Sequence, residues 1–155
     1  MAALALLLSA TAARAELAAP EYQLKAVFVL NFARFVAWPP PAFPSPHAPF
    51  VIGVLGPDPF GSYLDDAVQG QRIDGHPLVV RRFRSLGGIT ACRILFIAGP
   101  SAADLRRVFA RLRGCSVLTV GDAPGFGRRG GMIAFVTRHR RIGLRIDVEA
   151  ARAAR

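Results

Sequence analysis

The sequence of residues 92–122 is CRILFIAGPSAADLRRVFARLRGCSVLTVGD, in which two short apolar runs enclose an amphipathic segment. The apolar runs predict buried strands, and the segment between them predicts a helix with Ser101 as its N-cap and Gly114 at its end. A strand, a helix and a second strand in this order form a right-handed crossover between parallel strands. Residues 92–122 therefore predict an α/β fold.

The flanking segments extend the same pattern in both directions. Residues 49–56 and 78–83 predict two earlier strands, and the helix between them is expected to open at Asp58 with Pro59 in its first turn. Near the C-terminus, MIAFVTRH and RRIGLRIDVE are separated by almost no turn and predict an antiparallel hairpin. We expect a single three-layer, Rossmann-like α/β domain over residues 21–155, with a mixed, mostly parallel sheet and a C-terminal antiparallel hairpin.

The first residues, MAALALLLSATAARAELAAP, have the features of an export signal. An apolar run over residues 2–8 is followed by small residues that end in Ala13, Arg14 and Ala15, the small-x-small pattern that signal peptidase accepts. We predict a signal peptide over residues 1–15, cleaved after Ala15. The run is too short to span a bilayer, and the alternative is a buried N-terminal helix.

The chain is strongly basic, with a formal net charge of +10. Cleavage after Ala15 would remove one of the 20 basic residues and none of the 10 acidic ones, which leaves +9. The arginines occur in scattered pairs, without the aromatic residues that a single-strand-binding groove would place among them. We therefore expect no nucleic-acid partner, and we expect the basic surface to face anionic lipid or an acidic patch on a protein.

Residues 21–38, EYQLKAVFVLNFARFVAW, predict a helix that is apolar on nearly every face and is stopped by Pro39. Such a helix is either fully buried or shared with a partner, and the sequence leaves both possibilities open. We predict that it contacts a partner protein or a second copy of the chain. The candidate partner-binding residues are Phe28, Asn31, Phe32, Phe35 and Trp38.

No catalytic or metal-binding set of residues can be assembled from the sequence. The turn over residues 53–61 follows a strand, but its glycine spacing matches neither G-x-G-x-x-G nor G-x-x-x-x-G-K-S/T. The three histidines lack metal-ligand spacing and are expected at the surface; they are His47, His76 and His139. We predict a protein that is not an enzyme and holds no cofactor or metal. The alternative is a small-ligand sensor or enzyme whose site lies where residues 56–61, 99–101 and 121–125 meet, at the carboxyl ends of the parallel strands.

The two cysteines occupy equivalent places before two strands. Cys92 precedes the predicted strand 94–98 by two residues, and Cys115 precedes the predicted strand 117–120 by two. If these strands are parallel neighbours, the cysteines lie about 4.8 Å apart, a spacing that a disulfide tolerates. We predict a Cys92–Cys115 disulfide, formed in an oxidising compartment, and the alternative is two separate buried thiols.

Five stretches of the chain together resemble a known family. They are KAVFVLNFARFVAWP (25–39), VIGVLGPDPFG (51–61), CRILFI (92–97), LTVGD (118–122) and GGMIAF (130–135). In this order they resemble the YfiR family of small periplasmic proteins, and from the first to the last they span most of the chain after the signal peptide.

This resemblance implies a periplasmic regulator that binds the periplasmic part of a membrane-anchored diguanylate cyclase and holds it inactive. Release of the cyclase would then raise cyclic di-GMP and favour biofilm. An outer-membrane lipoprotein that acts as an antagonist is a further partner expected from the resemblance. Relatives continue past the strand that matches residues 142–148 into a further helix and tail, so we expect that this chain, which stops at Arg155, is shortened at its C-terminus.

Overall fold

The computed structural model describes the backbone of residues 2–99 and 102–154, and the side chains of residues 19–99 and 103–154. Helices and strands alternate along most of the described chain, and β2–β3 and β6–β7 are consecutive strands. The helices are α1 (Ala2–Phe35), α2 (Tyr63–Val68), α3 (Ala102–Leu112) and α4 (Val148–Ala153). The strands are β1 (Phe50–Leu55), β2 (Arg72–Ile73), β3 (His76–Phe83), β4 (Ile94–Ile97), β5 (Leu118–Gly121), β6 (Ile133–Arg138) and β7 (Arg141–Ile146). Short 3-10 helices cover Pro40–Ala42, Ile89–Ala91 and Gly127–Arg129.

The strands form one sheet in the order β2-β3-β1-β4-β5-β6-β7. The five strands from β3 to β6 in this order are parallel, whereas β2 and β7 pair antiparallel at the two edges. Numbered on their own, the parallel strands follow the doubly wound order 2-1-3-4-5. The predicted α/β class, the mostly parallel sheet and the C-terminal antiparallel hairpin are therefore confirmed.

Helices cover both faces of the sheet, which explains why β1 is apolar at nearly every position. Phe50, Ile52 and Val54 pack in one core with α1 and α2. Val51 and Leu55 pack in a second core with α3 on the opposite face. Successive strand residues point to opposite faces, so a strand that is buried on both sides must be apolar throughout.

Two predicted helix boundaries are wrong. Helix α1 ends at Phe35 and not at residue 38, because a residue that precedes proline, here Trp38, disfavours the helical conformation. The helix after β1 begins at Tyr63 and not at Asp58. The Asp58 side chain instead accepts a hydrogen bond from the Phe60 backbone N–H at 2.8 Å and stabilises a turn.

At the C-terminus, the predicted strand over residues 140–149 ends early. Strand β7 stops at Ile146, and the Asp147 side chain then caps helix α4 by accepting a hydrogen bond from the Ala150 N–H at 2.9 Å. The helix stop at Gly114 is confirmed by its φ of 74°, whereas the predicted cap Ser101 lies outside the described residues.

At the N-terminus, helix α1 runs through Pro20, although the sequence predicted a helix that begins at residue 21. The signal peptide over residues 1–15 stays a prediction, because the side chains of these residues lie outside the described part. No helix in the described part of the chain is long and apolar enough to cross a membrane.

Candidate functional site

Helix α1 lies across β6 and has one buried and one exposed stripe. The Phe28 and Phe32 rings pack on Phe135 of β6, with centroids 5.9 and 6.0 Å away. The opposite stripe faces solvent, and its apolar members are Leu24, Val27 and Phe35, which are 49%, 45% and 85% exposed. Of the two possibilities for a helix that is apolar on nearly every face, burial in the core applies to one stripe of α1. The other stripe is exposed and available to a partner.

Strand β7 continues this exposed surface beyond the helix. Leu144 and Ile146 are exposed, although they pair with the buried Phe135 and Ile133 of β6 on the same face of the sheet. Val148 at the start of α4 is exposed as well. We call the resulting surface the apolar flank, and it holds all exposed large apolar side chains of the described residues: Leu24, Val27, Phe35, Leu144, Ile146 and Val148.

A groove connects the helix and the strand of the apolar flank. Its volume is about 420 Å³, and Phe35 and Ile146 both line it, together with Trp38, Met132 and Ala151. It lies between the end of α1 and the second half of α4. Because large exposed apolar surfaces mark sites of protein association, the groove and the flank together are the candidate functional site.

The five candidate partner-binding residues occupy different environments. Phe35 is part of the apolar flank, and Asn31 is half-buried at helical spacing between Val27 and Phe35. Phe32 lies in the core at 9% exposure, and Phe28 is half-buried against it. Trp38 lies beyond the end of the helix, half-buried against Phe50 and hydrogen-bonded from its Nε1 to the Ala33 carbonyl at 3.3 Å.

Sequence reasoning missed a buried ionic network that holds α1 on the sheet. Lys25 Nζ lies 2.6 Å from Glu21 Oε1 and 2.7 Å from Asp122 Oδ2, and the Lys25 side chain is 3% exposed. The Tyr22 hydroxyl donates to Asp122 Oδ2 at 2.7 Å, and Thr137 Oγ1 donates to Glu21 at 2.8 Å. Burial and the hydrogen bond to Asp122 raise the pKa of Tyr22 above its usual value. Each charged group has a partner, so this network positions α1 on the ends of β5 and β6.

The predicted Cys92–Cys115 disulfide is not formed, and both residues are free cysteines. Ile94 of β4 pairs with Leu118 of β5. Two residues earlier in both segments, Cys92 is level with Ser116 and not with Cys115. The Cys92 sulfur also points toward β1, where a side-chain carbon added to Gly53 would lie 2.6 Å from it. Of the alternative, two separate buried thiols, the structure shows two separate thiols, of which Cys92 is buried and Cys115 is half-buried. Burial raises the pKa of the Cys92 thiol to about 12, which disfavours the reactive thiolate.

The carboxyl ends of the parallel strands form a second candidate site. A cavity of about 430 Å³ lies at the ends of β1 and β4, where the strand order reverses direction. Gly56 and Gly99 line it with Arg84, Asp104 and Arg107. The predicted third contributor, residues 121–125, lines a different cavity next to β6. The three turns therefore do not meet in one site.

No metal site forms among the described residues, which contain no group of three or more metal-ligating side chains. Two of the histidines, His47 and His139, are exposed as expected. The expectation is wrong for His76, which is buried, stacks on the Phe43 ring at 3.8 Å and contacts the Ala48 carbonyl oxygen at 2.7 Å.

The comparison with protein families matches nearly the whole of the described domain. The family model described as YfiR/HmsC-like matches residues 22–155, which include the apolar flank. No curated protein matches the chain. At family level, the match supports a periplasmic regulator of diguanylate cyclase signalling, a class that is regulatory and not catalytic. The chain belongs to the YfiR/HmsC-like family.

Proposed function

We propose that this protein binds the periplasmic part of a membrane-anchored diguanylate cyclase through the apolar flank and holds the cyclase inactive. The observation that carries the proposal is the exposure of large apolar side chains on α1, β7 and α4, of which Phe35 of α1 and Ile146 of β7 line one groove. Burial of such side chains against a partner is favourable because it removes apolar surface from water. Family membership indicates the class of partner.

Inhibition follows if the protein binds one state of the cyclase more tightly than the other. A partner that prefers the inactive arrangement shifts the population toward it, and the shift is limited by the ratio of the two affinities. Release then requires a competitor for the same flank, which is the role we propose for an outer-membrane lipoprotein. A second copy of the chain would compete for the flank in the same way, so homodimerisation and cyclase binding would oppose each other.

The proposal is tested by the activity of any membrane-anchored diguanylate cyclase encoded beside this protein, in membranes with and without the full chain. The wild-type chain is expected to lower cyclic di-GMP synthesis. Phe35→Glu is expected to relieve inhibition, because it places a charge in the middle of the buried contact. Ala110→Glu is the matched control, since Ala110 is exposed on α3 at the other face of the sheet. Equal inhibition by both variants would contradict the use of the apolar flank.

A small-ligand sensor is the second candidate function, favoured by the cavity at the ends of β1 and β4. Ligands of doubly wound sheets bind at the position where the strand order reverses, and Arg84 and Arg107 line the cavity there. A small anion that binds the folded state would raise the melting temperature. The rise should disappear in Arg84→Ala if the anion binds in this cavity, and a rise that persists would place the anion elsewhere.

A further inference from the structure

The outer edge of strand β7 is open in the described part of the chain, because β7 is the last strand of the sheet. A two-residue turn joins β6 to β7, and both of its residues, His139 and Arg140, have positive φ angles of 48° and 62°. The Asp147 N–H donates to the Met132 carbonyl at 2.8 Å. This bond makes Asp147 and Met132 a hydrogen-bonded pair. Because such pairs alternate with non-bonded pairs along an antiparallel ladder, residues 141, 143 and 145 also bond to β6. The N–H and C=O groups of residues 142, 144 and 146 therefore point away from β6.

The side chains of β7 alternate between apolar and basic. Residues 142, 144 and 146 are apolar and lie on the α1 side, whereas Arg141, Gly143 and Arg145 lie on the other side. Pairing with β6 sets Arg138 directly across from Arg141. Like charges in this position are unfavourable, and a nearby negative charge would relieve them.

The described part of the chain does not neutralise this arginine cluster, which consists of Arg138, Arg140, Arg141 and Arg145. No acidic residue occurs over residues 138–146. None of the four arginines forms an ion pair within the described residues. The next acidic residues along the chain are already engaged, since Asp147 caps α4 and Glu149 pairs with Arg152 at 3.1 Å.

A second copy of the chain that pairs antiparallel about Gly143 is a poor partner for this edge. Antiparallel pairing of two β7 strands about Gly143 would set Arg141 of each copy across from Arg145 of the other. Two pairs of like charges would then face each other without an intervening acid. Natural edge strands use charges in this way to prevent pairing between copies.

We propose that β7 accepts an extended, acidic segment of a partner protein, which adds to the sheet as an eighth strand. Residues that face each other across a strand pair share one side of the sheet. The partner segment therefore carries acidic residues four positions apart, opposite Arg141 and Arg145, and apolar residues opposite 142 and 144. This inference deepens the proposed function, because it names the kind of partner segment that binds beside the apolar flank. The identity of the partner rests on the proposed function.

The test uses the full chain and a short peptide with the core Glu-Val-Thr-Val-Glu. Two peptide controls separate the contributions: Gln replaces both Glu residues in one, and alternate backbone nitrogens are methylated in the other. We expect the Gln peptide to bind about tenfold more weakly, because two cross-strand ion pairs are lost. The methylated peptide is expected not to bind, because it cannot donate to the β7 carbonyls. The amide hydrogens of Leu144 and Ile146 should exchange more slowly in the complex.

The protein variants provide the matching comparison. Arg141→Gln combined with Arg145→Gln is expected to weaken binding of the acidic peptide about tenfold. Arg111→Gln, at an exposed position on α3, should leave it unchanged. Equal binding of the methylated peptide would overturn strand addition and leave only attraction between charges. Single-stranded DNA that displaces the peptide with the same arginine dependence would overturn it in favour of a nucleic acid, and self-association through β7 would overturn it in favour of a second copy.

This test can fail separately from the proposed function. If the peptide binds and the cyclase does not, the edge-strand site stands and the cyclase is the wrong partner. If the cyclase binds wild type and the double arginine variant equally, the cyclase is a partner and the edge-strand site is wrong.

Discussion

Leu144 lies directly across from Phe135 in the pairing of β7 with β6, on the same face of the sheet, yet Leu144 is 38% exposed and Phe135 is 4% exposed. The difference arises because α1 covers β6 through Phe28 and Phe32 and does not extend over β7. The apolar flank is therefore the border of the helical layer. A partner that covers this border would bury Leu144 as α1 buries Phe135.

The two phenylalanines at the end of α1 are predicted to differ in their contribution to stability. Phe32→Ala should lower the free energy of unfolding by about 3 kcal/mol, because it leaves a cavity beside Phe28 and Phe135. Phe35→Ala should change it by less than about 0.5 kcal/mol, because Phe35 is 85% exposed. Urea unfolding of both variants measures the difference. Similar losses would show that Phe35 belongs to the core.

The strands were the most predictable part of the fold. β1, β4 and β5 are short apolar runs that are buried on both faces, and such runs are visible in the sequence. The end of α1 was not predictable from periodicity, because Val36 and Trp38 continue the helical pattern after the backbone has left the helix. The start of α4 was missed because the apolar alternation of β7 continues through Val148.

The candidate site was only partly predictable. The sequence shows that α1 has more apolar surface than a helix usually buries, and for this reason Phe35 was predicted to contact a partner. The sequence does not show which stripe meets the sheet, because that depends on strand order. The spacing of Glu21 and Lys25 allows a local ion pair on the helix, but the sequence gives no signal for the second partner, because Asp122 is 97 residues away from Lys25 along the chain. The predicted disulfide was wrong because the pairing of β4 with β5 differs by one residue from the expected register. Cys92 is therefore level with Ser116 and not with Cys115.

Replacement of Lys25 is predicted to be strongly destabilising. Lys25→Met keeps the length of the side chain but leaves Glu21 and Asp122 as two neighbouring carboxylates without their shared cation. We expect the free energy of unfolding to fall by about 3 kcal/mol. Arg34→Met is the control on the same helix, because Arg34 is exposed and, among the described residues, its side chain bonds only Gln71. Equal stability of the two variants in urea would show that the network contributes little.

The Glu21 carboxylate is predicted to make stability depend on pH. Burial raises its pKa, but the hydrogen bonds from Lys25 and Thr137 outweigh that effect, and the pKa lies below its ordinary value of 4.5. Because the folded pKa is the lower one, the stabilisation is complete above pH 4.5 and is lost as the pH falls through the folded value. Glu21→Gln should therefore be less stable than wild type at neutral pH, and the difference should shrink below pH 4.5. A difference in stability that grows as the pH falls would contradict a lowered pKa of Glu21 in the folded protein.

The two cysteines are predicted to react at different rates. Cys115 is half-buried, whereas Cys92 is buried and its pKa is raised to about 12, so a thiol reagent should label Cys115 first in the folded protein. Labelling in native buffer and in denaturant, followed by mass spectrometry, measures both rates. Protein in which neither thiol reacts until a reductant is added would instead contain the Cys92–Cys115 bridge.

The most direct test of the apolar flank is the affinity of the full chain for the periplasmic domain of any diguanylate cyclase encoded beside it, measured by titration calorimetry. Leu144→Glu and Phe35→Glu are expected to weaken binding by at least about tenfold, because each buries an unpaired charge in the contact. Ala110→Glu should bind as wild type does, and all three variants should keep the wild-type melting temperature. Wild-type affinity in both flank variants would contradict the claim that the cyclase binds to this surface.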